Sequence, residues 1–470
     1  MRRPVMRFIL ALTVVIASAG AFASAASAAA SGAAGPQRPD EITKVNVSLS
    51  LDAQGRVVLS VVAASLDGVP LPTTARVSCG RTAVRGSGAR VVDGPAVFHE
   101  IVLPGTMGAS QRWYYDVRLD ATLGGTGASY HLWLPEAGSR YSFVTPPGTN
   151  TGAATMAFFG DNRPYSTRLD DLVPPAFPAV AAGVAASGAS LCVGVGDYIL
   201  AQTSYTNFDG WPDLPDTLQS LGLRYQGFFA YENAFAARMP TMLALGNHEE
   251  EVWRGAAFPG AQAWSDWFAA PGDAATYYSF DWGPFVHVVV LDTGKLNKPF
   301  GFAGPGQPGN SVQCQWLIDD LQANIHPWTI VALHYPLYDG SYAGGVGDYW
   351  SDPPQSPEAA AERDRIVQFF HDQGVDVVME GHRHYYRRHM HDGTPYVIQG
   401  AGGAQEEGIY PDVDDAAYWL DPGFSTITFS QGFVKATLKS YKTYGTRGVS
   451  PYASVLGDRL VLTNNPKHAD

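Results

Sequence analysis

Val375–Tyr386, V-D-V-V-M-E-G-H-R-H-Y-Y, is the stretch from which the rest of the chain can be read. Val375, Val377, Val378 and Met379 make a short apolar, β-branched run, the pattern of a buried strand. Glu380 and Gly381 end it, and His382 and His384 follow. Side chains two residues apart in extended chain leave on the same side. Both imidazoles therefore reach one small volume at the strand end, and Arg383 points the other way. An H-x-H pair alone does not separate ligands from two loop histidines. The residues upstream do.

Four other apolar runs end the same way. Ala154–Phe159 leads to Gly160-Asp161-Asn162-Arg163, and Leu191–Val195 leads to Gly196-Asp197. Thr241–Leu245 leads to Gly246-Asn247-His248-Glu249, and Trp328–Leu333 leads to His334-Tyr335-Pro336. Glycine before a ligand suits a tight turn or a close backbone approach. Helices are expected between the runs, at 221–237, at 312–324 with Trp316, Leu317 and Leu321 inward, and at 356–374. The last has Ser356 as N-cap, Pro357 at the first turn and Gly374 as its stop. Alternating strands and helices predict an α/β layered domain. Open α/β sheets hold ligands beyond the carboxyl ends of their strands. Two Asp, one Asn and four His collected there point to metal.

At 470 residues, two domains are expected. The net charge of −13 argues against a nucleic-acid surface and leaves room for a local cationic pocket. Residues 1–30 read as a signal peptide: Arg2, Arg3 and Arg7, then apolar Phe8–Ile16, then A-x-A sites at 21–23 and 28–30. The apolar run is short for a membrane span. The mature protein is therefore expected to be secreted or otherwise extracytoplasmic, with no membrane partner. Among three cysteines, Cys192 reads as a buried free thiol, and a Cys79–Cys314 bridge between domains is disfavoured. From 41 to 147, about seven short strands predict an all-β sandwich of immunoglobulin or fibronectin type III style, with His99 and His131 structural. Residues 146–150 read as a linker, 151–445 as the catalytic domain with Ser430-Gln431-Gly432 as a hairpin turn, and 446–470 as a tail frayed from Asn464.

In this order, D…GD…GNHE…H…GHxH resembles the metallophosphoesterase (calcineurin-like phosphoesterase) superfamily, and the β-sandwich in front resembles its purple acid phosphatase branch. The resemblance implies a four-layer αββα sandwich behind a fibronectin-III-like domain. It implies two metal ions, Fe, Mn or Zn. Asp197 would bridge them; Asp161 and His384 would complete the first site, and Asn247, His334 and His382 the second. His248 matches the catalytic histidine, oriented by Asp161 or Glu249, with complementation of a helix N-terminus the other reading of Glu249. Two positions depart from the family pattern. Arg163 stands where many members have histidine. It either faces the substrate phosphate or is a structural arginine paired with Asp170 or Asp171. Leu200 stands where purple acid phosphatases have the ligand tyrosine, and Tyr198 and Tyr205 are off that spacing. No tyrosinate-to-iron colour is expected.

The implied reaction is hydrolysis of a small phosphate monoester by in-line attack of a metal-bound hydroxide. Asn247 and Arg163 would stabilise phosphoryl oxygens, with His248 as general acid. Tyr335 touches substrate or packs. Aromatic loops after His334 (Tyr338–Ser351) and after Asp197 (Tyr205–Trp211) either wall the pocket or fasten the loops. Among the remaining histidines, His389 is the candidate for substrate contact. The alternatives are a phosphodiesterase on the same site and, from another class, a non-catalytic exported binding protein with a degenerate metal site.

Overall fold

The alternating pattern of the first domain becomes antiparallel strands in two sheets. The computed structural model describes residues 44–464, apart from 53–54, 65–72, 81–83, 87–96, 104–106, 123–128, 136–139, 165–173, 201–217, 251–275, 294–299, 340–348, 351–353, 406–414 and 447–450. The expected signal peptide and the Tyr205–Trp211 loop lie outside the described residues. One sheet holds β1 (Lys44–Leu51), β2 (Val57–Ala64) and β5 (Val97–Val102). The other holds β3 (Thr73–Gly80), β4 (Val84–Gly86), β6 (Arg112–Thr122), β7 (Ser129–Leu134) and β8 (Tyr141–Val144). Val47, Leu49, Leu59, Val77, Val117 and Phe143 are buried between them. This all-β unit seats on the α/β half: Leu49 bridges Pro240, and the Tyr115 hydroxyl donates to the Ala237 carbonyl at 2.7 Å.

The α/β half has two sheets. The first is ordered β11 (Thr241–Leu243), β10 (Leu191–Gly194), β9 (Ala154–Phe159), β19 (Gly423–Phe429), β20 (Lys435–Tyr444), β21 (Ala453–Thr463). The second is ordered β12 (Tyr278–Trp282), β13 (Val286–Val290), β14 (Trp328–Ala332), β15 (Val377–Glu380), β17 (Thr394–Gln399), β16 (Tyr386–His391), β18 (Asp415–Trp419). Successive strand residues face opposite ways, and the apolar side chains sort accordingly. Met156, Phe158 and Val193 pack with Val288, Ile330 and Met379 between the sheets. On one outer face, Phe159 and Cys192 meet helices α1 (Phe177–Ala186) and α2 (Leu218–Ala236). On the other, Val289, Val331 and Val378 meet α3 (Val312–Ala323) and α4 (Pro357–Asp372). The layers are thus helices, sheet, sheet, helices.

The helix ends follow their side chains. Ser311 caps α3 and Ser356 caps α4, each side-chain oxygen accepting a backbone N–H of the first turn. Gly374, at φ +73°, ends the turn after α4. Trp316 is only partly buried, and Cys314 and Ile318 fill the inward face with Leu317 and Leu321.

Two expectations need correction. The stretch read as a C-terminal tail, 446–470, contains β21, which pairs along the length of β20. Its side chains are mostly exposed, as on an edge strand, so it lacks the apolar signature of a core element. The five ligand-bearing strands do not share one sheet edge: β9, β10 and β11 belong to one sheet, β14 and β15 to the other. The cysteines are as expected: Cys79, Cys192 and Cys314 are all buried free thiols.

Candidate metal centre

The candidate ligands come together where the strand ends of the two sheets meet. Asp161, Asp197 and His382 each take a left-handed backbone, at φ +54°, +59° and +70°. They are three of the six non-glycine residues with positive φ among the described residues, so the strain collects at this site. Two glycines make the approach possible. A Cβ on Gly196 would stand 2.4 Å from His334 Nδ1, and one on Gly246 would stand 2.3 Å from the Asp197 nitrogen.

Two groups of donors form around one shared carboxylate. Ligand atoms of Asp197, His334 and His382 lie within 4.8 Å of one another, and so do those of Asp161, Asp197 and His384. Asn247 Oδ1 joins the first group, 2.9 Å from His334 Nε2 and 3.0 Å from His382 Nδ1.

The chemistry of these atoms fits a cation. His334 Nδ1 is 2.8 Å from the Val195 carbonyl, which can only accept, so Nδ1 carries a hydrogen. In the neutral ring the Nε2 lone pair then faces Asn247 Oδ1 and, at 3.2 Å, Asp197 Oδ1. Three acceptors converging in a buried site need a positive charge between them. Without a metal a proton serves: burial opposes charge on His334, yet Asp197 and Asp161 hold its pKa up to about 9. His384 is arranged alike. Its Nδ1 sits 2.5 Å from the Gln405 carbonyl, and Nε2 faces Asp161 Oδ1 at 3.8 Å. Burial, then Arg163, holds its pKa well below the usual imidazole range, leaving a neutral ligand. Burial also opposes the Asp197 charge, but His334, His248 and Arg163 outweigh it and keep the carboxyl ionised. Asp161 Oδ2 accepts the backbone N–H of His382 at 2.9 Å, which ties the two sheets' strand ends together.

Glu249 does something the sequence did not reveal. It neither orients His248 nor simply faces a helix end. Its Oε2 accepts backbone N–H groups of Asp197 and Gly246, both at 2.9 Å, and its Oε1 accepts those of Tyr198 (2.7 Å) and Ile199 (3.0 Å). Burial and then Asp197 push its pKa up to about 7. His248 lies against Asp197: its backbone N–H donates to Oδ1 at 3.0 Å and its Nε2 is 3.7 Å from Oδ2.

Arg163 Nε is also 3.7 Å from Asp197 Oδ2, which places the guanidinium beside the shared carboxylate. Its alternative partners, Asp170 and Asp171, lie outside the described residues. Leu200 is buried, and the buried Tyr198 hydroxyl accepts the Gly196 N–H at 2.9 Å. Burial raises the Tyr198 pKa well above the ordinary range. Arg383 points away from the donors and pairs with buried Asp339 at 2.6 Å. The Tyr335 ring lies 4.4 Å from that of His382. His389 stacks on Tyr338 at 4.7 Å. Trp350 fastens its loop by donating to Glu362 at 3.2 Å. The carbonyls that orient His334 and His384 have no residue-type signal, and only the fold could reveal them.

The chain is similar to proteins of known family. Residues 179–386 match the calcineurin-like phosphoesterase family model. Purple acid phosphatase 23 of Arabidopsis thaliana is 27% identical over 323 residues, covering 62% of this chain and 60% of that protein. Purple acid phosphatase 15 of the same plant is 27% identical over 202 residues, covering 40% and 34%. The chain therefore spans about 60% or less of the length of these curated relatives. Among solved structures, the purple acid phosphatase PPD1 of yellow lupin (Lupinus luteus) superposes with a TM-score of 0.61 at 17% identity, covering 87% of this chain and 74% of that one. PhoD superposes at 0.65 and 16% identity, covering 92% of both chains. These two share the fold. Residues 179–386 are thus similar to calcineurin-like phosphoesterases, and the curated relatives named here are purple acid phosphatases.

Proposed function

We propose that this chain is an exported binuclear-metal phosphoesterase that hydrolyses small phosphate monoesters. The observation that carries the reading is the sharing of Asp197 by two donor groups, the arrangement of a two-metal clamp. Asp161, Asp197 and His384 would hold one ion, and Asp197, Asn247, His334 and His382 the other. The mixed carboxylate, amide and imidazole set suits Fe, Mn or Zn. Bound ions supply Lewis acidity, polarising the phosphoryl group and acidifying a water. The rest falls to the chain. Arg163 offers a guanidinium to the phosphoryl oxygens as charge grows on them. The amide of Asn247 and the ring of Tyr335 border the same space. An in-line displacement leaves an alkoxide that needs a proton, and His248, held beside Asp197 Oδ2, supplies it. Domains at 41–147, fibronectin-III-like, and from 151 through the last sheet strand fit this reading, as does export by the first thirty residues. Among the described residues no helix is long and apolar enough to cross a membrane.

The test is hydrolysis of p-nitrophenyl phosphate by the metal-loaded chain, set against bis-p-nitrophenyl phosphate. Preference for the diester would replace the monoester reading with the phosphodiesterase one. No turnover of either, with two metals bound, would leave a binding protein. His248→Ala should keep its metal and lose roughly 10²–10⁴-fold in kcat, the usual share of a general acid. An unchanged kcat removes His248 from the chemistry.

The two ion positions differ in protein ligands. His384 is one of three, and His382 is one of four. His384→Ala should therefore lose more metal from its own position than His382→Ala does. Counting metal per chain after dialysis decides this, and equal losses would sink the asymmetry.

A further inference from the structure

A second group of donors converges at the other end of the seven-stranded sheet. Asp281 on β12 and His287 on β13 are cross-strand partners, and His326 lies two residues before β14. Ligand atoms of all three lie within 4.8 Å of one another. His334 of the first centre lies two residues beyond the opposite end of β14, so the groups are separated by the strand's whole length.

The orientation of both imidazoles makes this more than a polar cluster. His287 Nε2 is 2.9 Å from Asp320 Oδ2 on α3, and Nδ1 is 2.8 Å from Asp281 Oδ1. Asp320 is itself held by the Ser279 hydroxyl, which donates to Oδ1 at 2.7 Å. An N–H given to Asp320 leaves the Nδ1 lone pair facing Asp281. His326 Nδ1 is 3.2 Å from Asn324 Oδ1, which also accepts the His326 backbone N–H at 2.9 Å. Asn324 Nδ2 donates to Thr329 Oγ1 at 2.7 Å, which fixes the amide's orientation. His326 Nε2 is thereby left facing Asp281 Oδ2 at 3.6 Å. A ligating histidine whose other nitrogen donates to a carboxylate or amide oxygen is the usual outer arrangement of a metal site.

The electrostatics agree. Burial opposes charge on His287, yet Asp281 and Asp320 hold its pKa up to about 9, so the site selects a positive charge. Burial lowers that of His326, keeping its lone pair available. Asp281 is half-exposed, so water can complete a tetrahedral shell.

We propose that Asp281, His287 and His326 form a second, structural metal site for a zinc-like divalent cation. It binds through the carboxylate, Nδ1 of His287 and Nε2 of His326. Binding releases the His287 Nδ1 proton and ties the β12–β13 edge hairpin to the segment that leads into β14.

The test is equilibrium dialysis of the full chain against zinc chloride, with zinc counted by mass spectrometry. His326→Ala should bind one zinc per chain fewer than the natural protein and hydrolyse p-nitrophenyl phosphate at an unchanged rate. Zinc should also raise the Tm of the natural protein by more than that of the variant. Asp281→Asn, a near-isosteric change at a half-exposed strand position, should lose the same one zinc. It serves as the readout if the alanine variant does not fold by circular dichroism. Equal zinc counts in the natural protein and a folded variant would overturn the proposal and leave a histidine held by a proton between two aspartates.

Discussion

Replacing Asp197 with Asn should abolish turnover and empty both ion positions together. Its carboxylate is common to both donor groups, so its loss leaves two protein ligands at one position and three at the other. The variant separates charge from shape. An asparagine side chain can still accept the His248 N–H that now reaches Oδ1 at 3.0 Å, so the loop keeps its anchor. What it cannot do is balance Arg163, His248 and His334, which all face this carboxylate. Removing one partner from a buried charge cluster costs about 3–5 kcal/mol. The expected result is a folded but destabilised chain, with activity lower by about a thousandfold or more and metal near zero at both positions. Mass spectrometry of the dialysed protein, with circular dichroism as the folding control, measures it. A variant that keeps two metals would remove Asp197 from the bridging position.

The order of legibility follows the physics. A strand ending in a polar residue, after a glycine at four of the five ends, is a local pattern, and all five ends could be read from Asp161 to His382. Period-two burial and helix caps are local as well, which is why Ser356 and Gly374 marked their helix correctly. That β9 to β11 and β14 to β15 lie in separate sheets is a long-range fact with no local trace. The same holds for β21, whose exposed side chains read as a tail although its backbone pairs throughout. The carbonyls of Val195 and Gln405 set which nitrogen of His334 and His384 is free, and a carbonyl looks alike at every position. Arg163 was open between two readings because a guanidinium suits either, and its position beside Asp197 is a long-range fact that no local pattern carries.

Glu249 is where the local reading failed most clearly, and it yields the second large effect. Glu249→Ala should destabilise the chain by about 3–5 kcal/mol. Four backbone N–H groups would lose their acceptor in a buried place, each costing roughly 1–3 kcal/mol, with partial relief from relaxation. The informative variant is Glu249→Gln. One oxygen now serves Tyr198 and Ile199, the other Asp197 and Gly246. A carboxamide keeps one of these pairs and turns its own NH₂ toward the N–H groups of the other. The Gln variant should therefore lose nearly as much stability as the Ala variant, and both should retain metal poorly, because the Asp197 turn and the Asn247 turn are no longer held together. Complementing a helix end would predict otherwise, since losing one charge there costs about 0.3–1 kcal/mol. Denaturant unfolding of the two variants decides between them. A Gln variant within about 1 kcal/mol of the natural protein, with its metal intact, would return Glu249 to the helix-end role.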